Sequence, residues 1–237
     1  MNPSPDLLIV MPIYNEEANI TRVVSEWLTV LDPLDIHYAL LAINDGSTDS
    51  TLSILQSQAK EHPNKIIVID KANTGHGRSC RHGYELALQH SAQWVLQIDS
   101  DGQCDPAYFD SYWSQRSEAD CVFGFRATRG DGLLRKLISR SCGLLSSLVS
   151  GVDVRDANVP YRMMRNTALA QALLKVPADF DVQNIALTVA LKRDSSLRWK
   201  YIPIHFRDRQ GGVNSINFLK IAKMGWTMLR ELGRVQK

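Results

Sequence analysis

Apolar residues in the first half of the chain follow two alternating rhythms. Leu7–Ile13 and residues 38–43, 65–69 and 94–98 are short, nearly unbroken apolar runs. Between them the apolar positions recur every three or four residues. Residues 16–31 carry Ile20, Val23, Val24, Trp27, Leu28 and Leu31 in that rhythm, and a stretch starting near Thr48 carries Leu52, Ile54 and Leu55. Residues 75–90 form the third such stretch. Unbroken short runs are strands covered on both faces, and the 3.6-residue period marks the helices that cover them. The alternation predicts an α/β fold with a mostly parallel central sheet and helices on both faces. A fifth strand is expected at residues 121–125.

In such sheets ligands bind beyond the carboxyl ends of the strands. The first run is followed by Pro12, Tyr14, Asn15 and Glu16, and the second by Asn44, Asp45 and Gly46. The third ends in Asp70 and the loop 73–77, the fourth in Asp99, Ser100, Asp101, Gly102 and Gln103, and the fifth in Arg126. Asn, Asp and Gly are also ordinary turn formers. Five consecutive ends furnished this way point instead to one crevice. Asp99 and Asp101 are two carboxylates one residue apart, hard donors suited to Mg2+ or Mn2+, and Gln103 adds a third oxygen at the same spacing. An EF-hand is excluded, because Cys104 stands where its sixth residue is Gly and Asp110 where its twelfth is Glu. Gly75 and Gly77 open a helix whose free N–H groups suit a phosphate. Cys80 occupies the third position of a GxGxxG pattern, which argues against a nicotinamide dehydrogenase, and no Walker pattern exists.

Composition adds a polarity along the chain. The 237 residues are 44% hydrophobic and 22% charged, enough for one large α/β domain and incompatible with disorder. The net charge of +2 hides an imbalance: residues 1–118 hold 7 Lys/Arg against 16 Asp/Glu, and residues 119–237 hold 20 against 9. An acidic front suits cations, and a basic back suits anions or a membrane surface. Residues 133–149 and 216–232 set apolar positions beside Arg135, Lys136 and Arg140, and beside Lys220, Lys223 and Arg230. Two readings stand for these amphipathic stretches: they lie in a membrane interface, or they pack on the domain or a partner copy. Cys80, Cys104, Cys121 and Cys142 have no metal-ligand spacing and read as free thiols. The N-terminus lacks a basic signal-peptide region and no run approaches 18 apolar residues, so a cytoplasmic protein, peripheral on the membrane at most, is expected. Nothing resembles a nucleic-acid-binding module.

The set PIYNEE (12–17), INDGSTDST (43–51), NTGHG (73–77) and DSDGQ (99–103) resembles the nucleotide-sugar domain of family 2 glycosyltransferases with the GT-A, Rossmann-like fold. Four later segments narrow the resemblance to polyprenyl-phosphate sugar transferases of the dolichyl-phosphate mannose synthase type. They are FGFR (123–126), RKLISR (135–140), GVDVRDANVPYRMMRN (151–166) and FRDRQGGVNS (206–215). The resemblance covers about residues 7–215, implying a transferase domain over 1–215 and a C-terminal amphipathic helix over 216–237. It implies that Pro12, Tyr14, Glu16, Ile43 and Asp45 hold the nucleoside, with Ser100 among the donor contacts. Asp99, Asp101 and Gln103 would hold Mg2+ or Mn2+, Arg126 and Arg209 would grip donor phosphates, and Arg140 would meet an acceptor phosphate. Asp101, Arg126, Arg209 and Asp156 form the implied catalytic set.

Three departures stand out. Asn44 replaces the usual first Asp of the turn, Cys104 stands where relatives often carry His, and Arg207 lies two residues before Arg209. Many members carry a Glu-Asp pair late in the domain as general base. Residues 179–184 read DFDVQN here, without that pair. A phosphate acceptor is already anionic and needs no base. Asp181 and Asp156 remain candidates for one, and Asp156 reads equally as a structural partner of an arginine. The implied activity is metal-dependent, inverting transfer of a hexose from a GDP- or UDP-linked sugar to a polyprenyl (dolichyl or undecaprenyl) phosphate. Transfer to a hydroxyl of a lipid, glycan or small molecule is the alternative. Donor binding without turnover is a third reading, and no oligomeric state is implied.

Overall fold

The computed structural model describes residues 4–126, 151, 159–207 and 231. Four parallel strands form one half of a seven-stranded sheet: β1 (Leu7–Ile13), β2 (Tyr38–Asp45), β3 (Ile66–Lys71) and β4 (Trp94–Gln97). Helices α1 (Ile20–Leu31), α2 (Thr51–Glu61) and α3 (His76–Gln89) connect them. The chain then passes through the short α4 (Phe109–Trp113), β5 (Cys121–Arg126), β6 (Arg162–Arg165), α5 (Asn166–Lys175), α6 (Gln183–Arg193) and β7 (Trp199–Ile204). The strand order is β3-β2-β1-β4-β6-β5-β7. β6 runs antiparallel to both β4 and β5, and β7 returns parallel to β5. The sheet is mostly parallel with one reversed strand, as the alternation of runs predicts.

The burial pattern explains the apolar runs. Every residue of β1 and β2 is buried, since helices cover both faces. On one face Leu8, Val10, Leu41, Ile43 and Val95 pack under α3, α5 and α6. On the other Leu7, Ile9, Met11, Leu40 and Leu96 pack under α1 and α4. All six apolar positions predicted for α1 are buried, with Trp27 5.8 Å from Tyr161 and Tyr161 4.4 Å from Tyr112.

Two helices start later than the periodicity predicts, α1 at Ile20 and α2 at Thr51. The skipped residues tie the β1–α1 and β2–α2 loops together. Asn15 adopts the left-handed region (φ 52°), and its side-chain oxygen accepts the Thr48 N–H at 2.8 Å. Asp49 accepts the Glu17 N–H at 3.2 Å, while the Glu17 carboxylate accepts the Ser50 N–H at 2.9 Å. Glu16 and Glu17 are therefore loop residues and not the helix's first turn.

The stretches 133–149 and 216–232 lie outside the described residues, apart from Glu231. That side chain is buried, and its carboxylate accepts the N–H groups of Asp181 and Val182 at 3.1–3.2 Å, at the start of α6. A carboxylate there offsets the positive end of the helix.

The close crossing of α3 over β1 and β2 requires a glycine. A Cβ on Gly83 would stand 2.3 Å from Val10 Cγ1. Gly83→Ala is expected to lose stability in a urea melt, because about 1–3 kcal/mol of overpacking strain exceeds the roughly 1 kcal/mol that alanine adds in helix propensity.

Candidate active site

Parallel pairing brings the ends of β1 to β4 to one edge of the sheet, where they surround a cleft of about 360 Å3. Pro12, Ile13, Tyr14 and Glu16 line it from β1, and Asp45 from β2. Asn73, Gly75, His76 and Ser79 come from the β3–α3 connection and α3, and Asp99, Ser100 and Asp101 from the end of β4. Tyr14 is half exposed at the cleft, whereas Glu16 is buried, its carboxylate accepting the Asn19 side-chain N–H at 2.9 Å.

Asp45 organises the floor. Its Oδ1 accepts from Lys71 Nζ and from the Thr74 N–H at 2.9 Å, and its Oδ2 accepts the Gly75 N–H at 2.9 Å. The Lys71 ammonium also reaches Ala72 O at 2.9 Å, Thr74 Oγ1 at 2.6 Å and Ser79 Oγ at 3.2 Å. Burial pushes the Asp45 carboxyl upward, but the Lys71 hydrogen bond, the Thr74 N–H and the Ser79 hydroxyl outweigh it and hold the group below the ordinary carboxylate range. The pair thus fixes the loop that carries Asn73 and Gly75 into the cleft.

Asn44, one residue earlier, has a local reason for not being aspartate. It pairs in register with Asp70 on β3 and donates its side-chain N–H to the Asp70 carboxylate at 2.7 Å, while accepting from Ser47 Oγ at 2.6 Å. A carboxylate in its place would face another carboxylate.

At the end of β4, Asp99 Oδ1 accepts from Gln97 Nε2 at 3.1 Å and lies 3.7 Å from His76 Nε2. Asp101 Oδ1 accepts the Gln103 N–H at 3.1 Å. The Cys80 sulfur, 3.5 Å from His76, and the Asp99 carboxylate both draw that imidazole above its ordinary pKa. Two carboxylates in one lining supply two hard oxygens. Mg2+ or Mn2+ would complete its shell with water and phosphate oxygens, so these residues fit such an ion alongside a diphosphate. Among the described residues no three His, Cys, Asp or Glu side chains form a cluster able to hold a metal ion.

Helix α3 starts at the cleft, and its Gly77 is held close to the chain that leads into α6. A Cβ on Gly77 would stand 2.1 Å from the Asp181 carbonyl oxygen. Arg78 ties the same contact, donating to Asp179 O at 3.2 Å and pairing with the Asp181 carboxylate at 3.1 Å.

Of the residues singled out from sequence, Pro12, Tyr14, Glu16, Asp45, Asp99, Ser100 and Asp101 meet in the cleft. Ile43 does not: its side chain is wholly buried in the core beneath α3. Gln103 is not part of the lining, and its side-chain N–H donates to Arg207 O at 3.1 Å. Asp156, Arg140 and Arg209 lie outside the described residues, as does the side chain of Arg126. Arg207 is bound to Glu26 and Asp105, each at 2.6 Å. Sequence reasoning missed Lys71, Ser79 and Gln97. Gln97 left a signal, a lone amide inside the apolar run WVLQI.

The sequence model described as Glycosyl transferase family 2 matches residues 8–174. A curated relative, the undecaprenyl-phosphate 4-deoxy-4-formamido-L-arabinose transferase of Shewanella sediminis (strain HAW-EB3), is 24% identical over 226 residues. The match takes in 94% of this chain, which spans 66% of that relative's length. Among solved structures, glucosyl-3-phosphoglycerate synthase from Mycobacterium tuberculosis, in complex with Mn2+, uridine-diphosphate and phosphoglyceric acid, matches with a TM-score of 0.68 at 18% identity. That match covers 97% of this chain and 79% of the other. A mannosyltransferase from Pyrobaculum calidifontis, in complex with GDP-Man and Mn2+, gives a TM-score of 0.59 at 16% identity, covering 85% of this chain and 56% of the other. At such identities the likeness is one of fold, and that fold is GT-A.

The Asp45–Lys71 pair carries a pH signature. Lys71→Met leaves a nearly buried carboxylate without its cation and is expected to cost about 3–5 kcal/mol near neutral pH. A carboxyl held below its ordinary pKa contributes stability that is complete above about pH 4 and lost as the pH falls through the folded value. Urea melts of both proteins should therefore differ most near neutrality and converge as the pH falls below the ordinary aspartate range.

Proposed function

The chain belongs to glycosyltransferase family 2, and from that footing we propose that it transfers a hexose from a nucleotide-diphosphate sugar to a polyprenyl phosphate, with Mg2+ or Mn2+ and with inversion at the sugar C1. One observation carries the reading: carboxylate, amide and hydroxyl side chains from four strand ends line a single cleft. The names of the relatives, undecaprenyl-phosphate sugar transferases, support the acceptor class.

In this reading Pro12, Tyr14, Glu16 and Asp45 form the nucleoside side of the donor site, and Ile43 supports that side from the core beneath α3. Asp45 acts there through the loop it fixes, since both its oxygens already accept hydrogen bonds. Asp99 and Asp101 would hold the divalent ion, while Gln103, its side chain turned to Arg207 O, braces the loop beside them. When bound, that ion offsets charge on the diphosphate as the bond to the sugar C1 breaks. The first N–H groups of α3, opening at Gly75, face the same charge. Arg126 and Arg209 are read as phosphate grips, bidentate and permanently charged. Arg207 is already committed to Glu26 and Asp105, which leaves Arg209 as the arginine of that pair assigned to phosphate.

Attack by an acceptor phosphate oxygen on the face of C1 opposite the leaving group gives inversion and asks for no general base. The ion pair of Asp181 with Arg78 accords with this, because the carboxylate nearest in sequence to the family's usual base is otherwise engaged. Arg140 is read as the acceptor-phosphate contact, and Asp156 as a base or an arginine partner. The basic stretches 133–149 and 216–232 would rest on the cytoplasmic membrane face. No helix among the described residues is long and apolar enough to cross a membrane.

A panel of UDP- and GDP-sugars with Mn2+ should raise the melting temperature for the true donor, since ligand at 100 times its Kd adds about 2.7 kcal/mol. With that donor the protein is expected to glycosylate polyprenyl phosphate in detergent. Transfer only to a soluble hydroxyl acceptor would overturn the acceptor assignment, and binding without turnover would overturn the enzyme reading. Asp101→Ala should lower turnover by about 100-fold or more, the scale on which a lost electrostatic stabiliser acts, while changing the melt little.

A further inference from the structure

Gln97, Asn184, Tyr84 and Arg162 are four polar side chains buried to 4% exposure or less, in the largely apolar layer between the sheet and helices α3 and α6. An amide inside the strand Trp94–Gln97 is costly unless its groups are bonded. Here the bonds run in one direction. The Tyr84 hydroxyl donates to Asn184 Oδ1 at 2.9 Å, Asn184 Nδ2 donates to Gln97 Oε1 at 3.3 Å, and Gln97 Nε2 donates to Asp99 Oδ1 at 3.1 Å.

That direction is imposed from the cleft. An ionised carboxylate only accepts, so Gln97 must turn its NH2 group toward Asp99. Its oxygen then faces Asn184, which must present NH2 in turn and leave its own oxygen for the Tyr84 hydroxyl. Each amide has one orientation compatible with the next. Arg162, opposite Gln97 in the β4–β6 register, steadies the far side by donating to Asn184 O at 2.9 Å and Thr188 Oγ1 at 3.2 Å in the first turns of α6.

We propose that Gln97 and Asn184 are positioning residues for the transfer, holding Asp99 from beneath so that its carboxylate faces the divalent ion in one orientation. A carboxylate rotates readily about its last torsion, whose wells are broad. A donor fixed below one oxygen removes that freedom before the ion arrives. The inference rests on the reading of Asp99 and Asp101 as ligands of the ion. Partners that orient such ligands typically govern about 10- to 100-fold in metal affinity or activity.

The test titrates Mn2+ against the protein in the presence of UDP or GDP, following the melting temperature, and measures kcat and KM with the donor sugar. Gln97→Met keeps the length of the side chain and removes the donor. It is expected to raise the half-saturating Mn2+ concentration by about 10- to 100-fold and to lower kcat, with donor KM little changed. A purely structural role would move the ion-free melt and leave the Mn2+ midpoint in place. An unchanged midpoint in Gln97→Met, with a raised one in Asp99→Asn, overturns this inference alone. Unchanged midpoints in both Asp99→Asn and Asp101→Ala overturn the reading of the cleft itself. Should Gln97→Met fail to fold, Tyr84→Phe decides, because it deletes one hydroxyl from the relay. A rise of about 2- to 10-fold, the weight of one hydrogen bond, upholds the proposal, and no rise refutes it.

Discussion

Because β1, β2, β3 and β4 run parallel, whatever residues follow each apolar run are delivered to the same edge of the sheet. Both faces of β1, β2 and β4 are buried, so apart from Gln97 their polar side chains gather at the strand ends. The cleft is a consequence of that geometry. Its chemistry depends on a second layer of contacts that keep the strand-end loops from wandering: Asn15 to Thr48 on one side and Asp45 to Lys71, Thr74 and Gly75 on the other. Neither loop is stabilised by apolar burial, and hydrogen bonds between neighbouring loops do that work instead.

The charge of the cleft bears on what it can receive. Glu16, Asp45, Asp99 and Asp101 all line it against one imidazole, His76, 3.7 Å from Asp99, while the Lys71 ammonium is turned to Asp45 and three neutral oxygens. A diphosphate entering beside Asp99 and Asp101 would meet repulsion of about 4 kcal/mol per charge pair at 4 Å and an effective dielectric near 20. A divalent cation turns that repulsion into a shared coordination shell. The acidic lining and an anionic donor are therefore compatible through a metal ion, which supports the metal-dependent reading on physical grounds.

The parallel half was legible because its signals are local. Runs of Val, Ile and Leu need no knowledge of the partner strand to be read as doubly covered, and the six buried positions of α1 repeat at helical spacing. The starts of α1 and α2 were not legible, since they depend on which loop claims Asn15, Glu17 and Asp49. The insertion of β6 between β4 and β5 was equally hidden: RMMR has four residues, and its direction is set by pairing Arg162 with Gln97 and Phe123. At the site, carboxylates that end strands could be named from the sequence, but their supports could not. Lys71 and Asn184 look like an ordinary lysine and a helical asparagine until the fold sets them beside Asp45 and Gln97.

The contrast between an acidic first half and a basic second half also acquires a structural component. Arg207 spans Glu26 on α1 and Asp105 beyond β4, and Lys200 pairs with Glu118 at 3.2 Å, so basic residues of the second half neutralise acids of the first within the domain. Exposed pairs of this kind add little stability each, but Arg207 does more than close a charge. Its backbone N–H donates to Gln103 O at 3.2 Å while Gln103 Nε2 donates to its carbonyl at 3.1 Å. Together with the Asp105 pair, these bonds fasten the chain after β7 to the loop that follows Asp101. Releasing Arg207 toward a phosphate would leave Glu26 and Asp105 without that cation and would loosen the loop next to Asp101. The second half therefore contributes to the Asp101 side of the cleft through structure, and part of its positive charge is already engaged by acids of the first half.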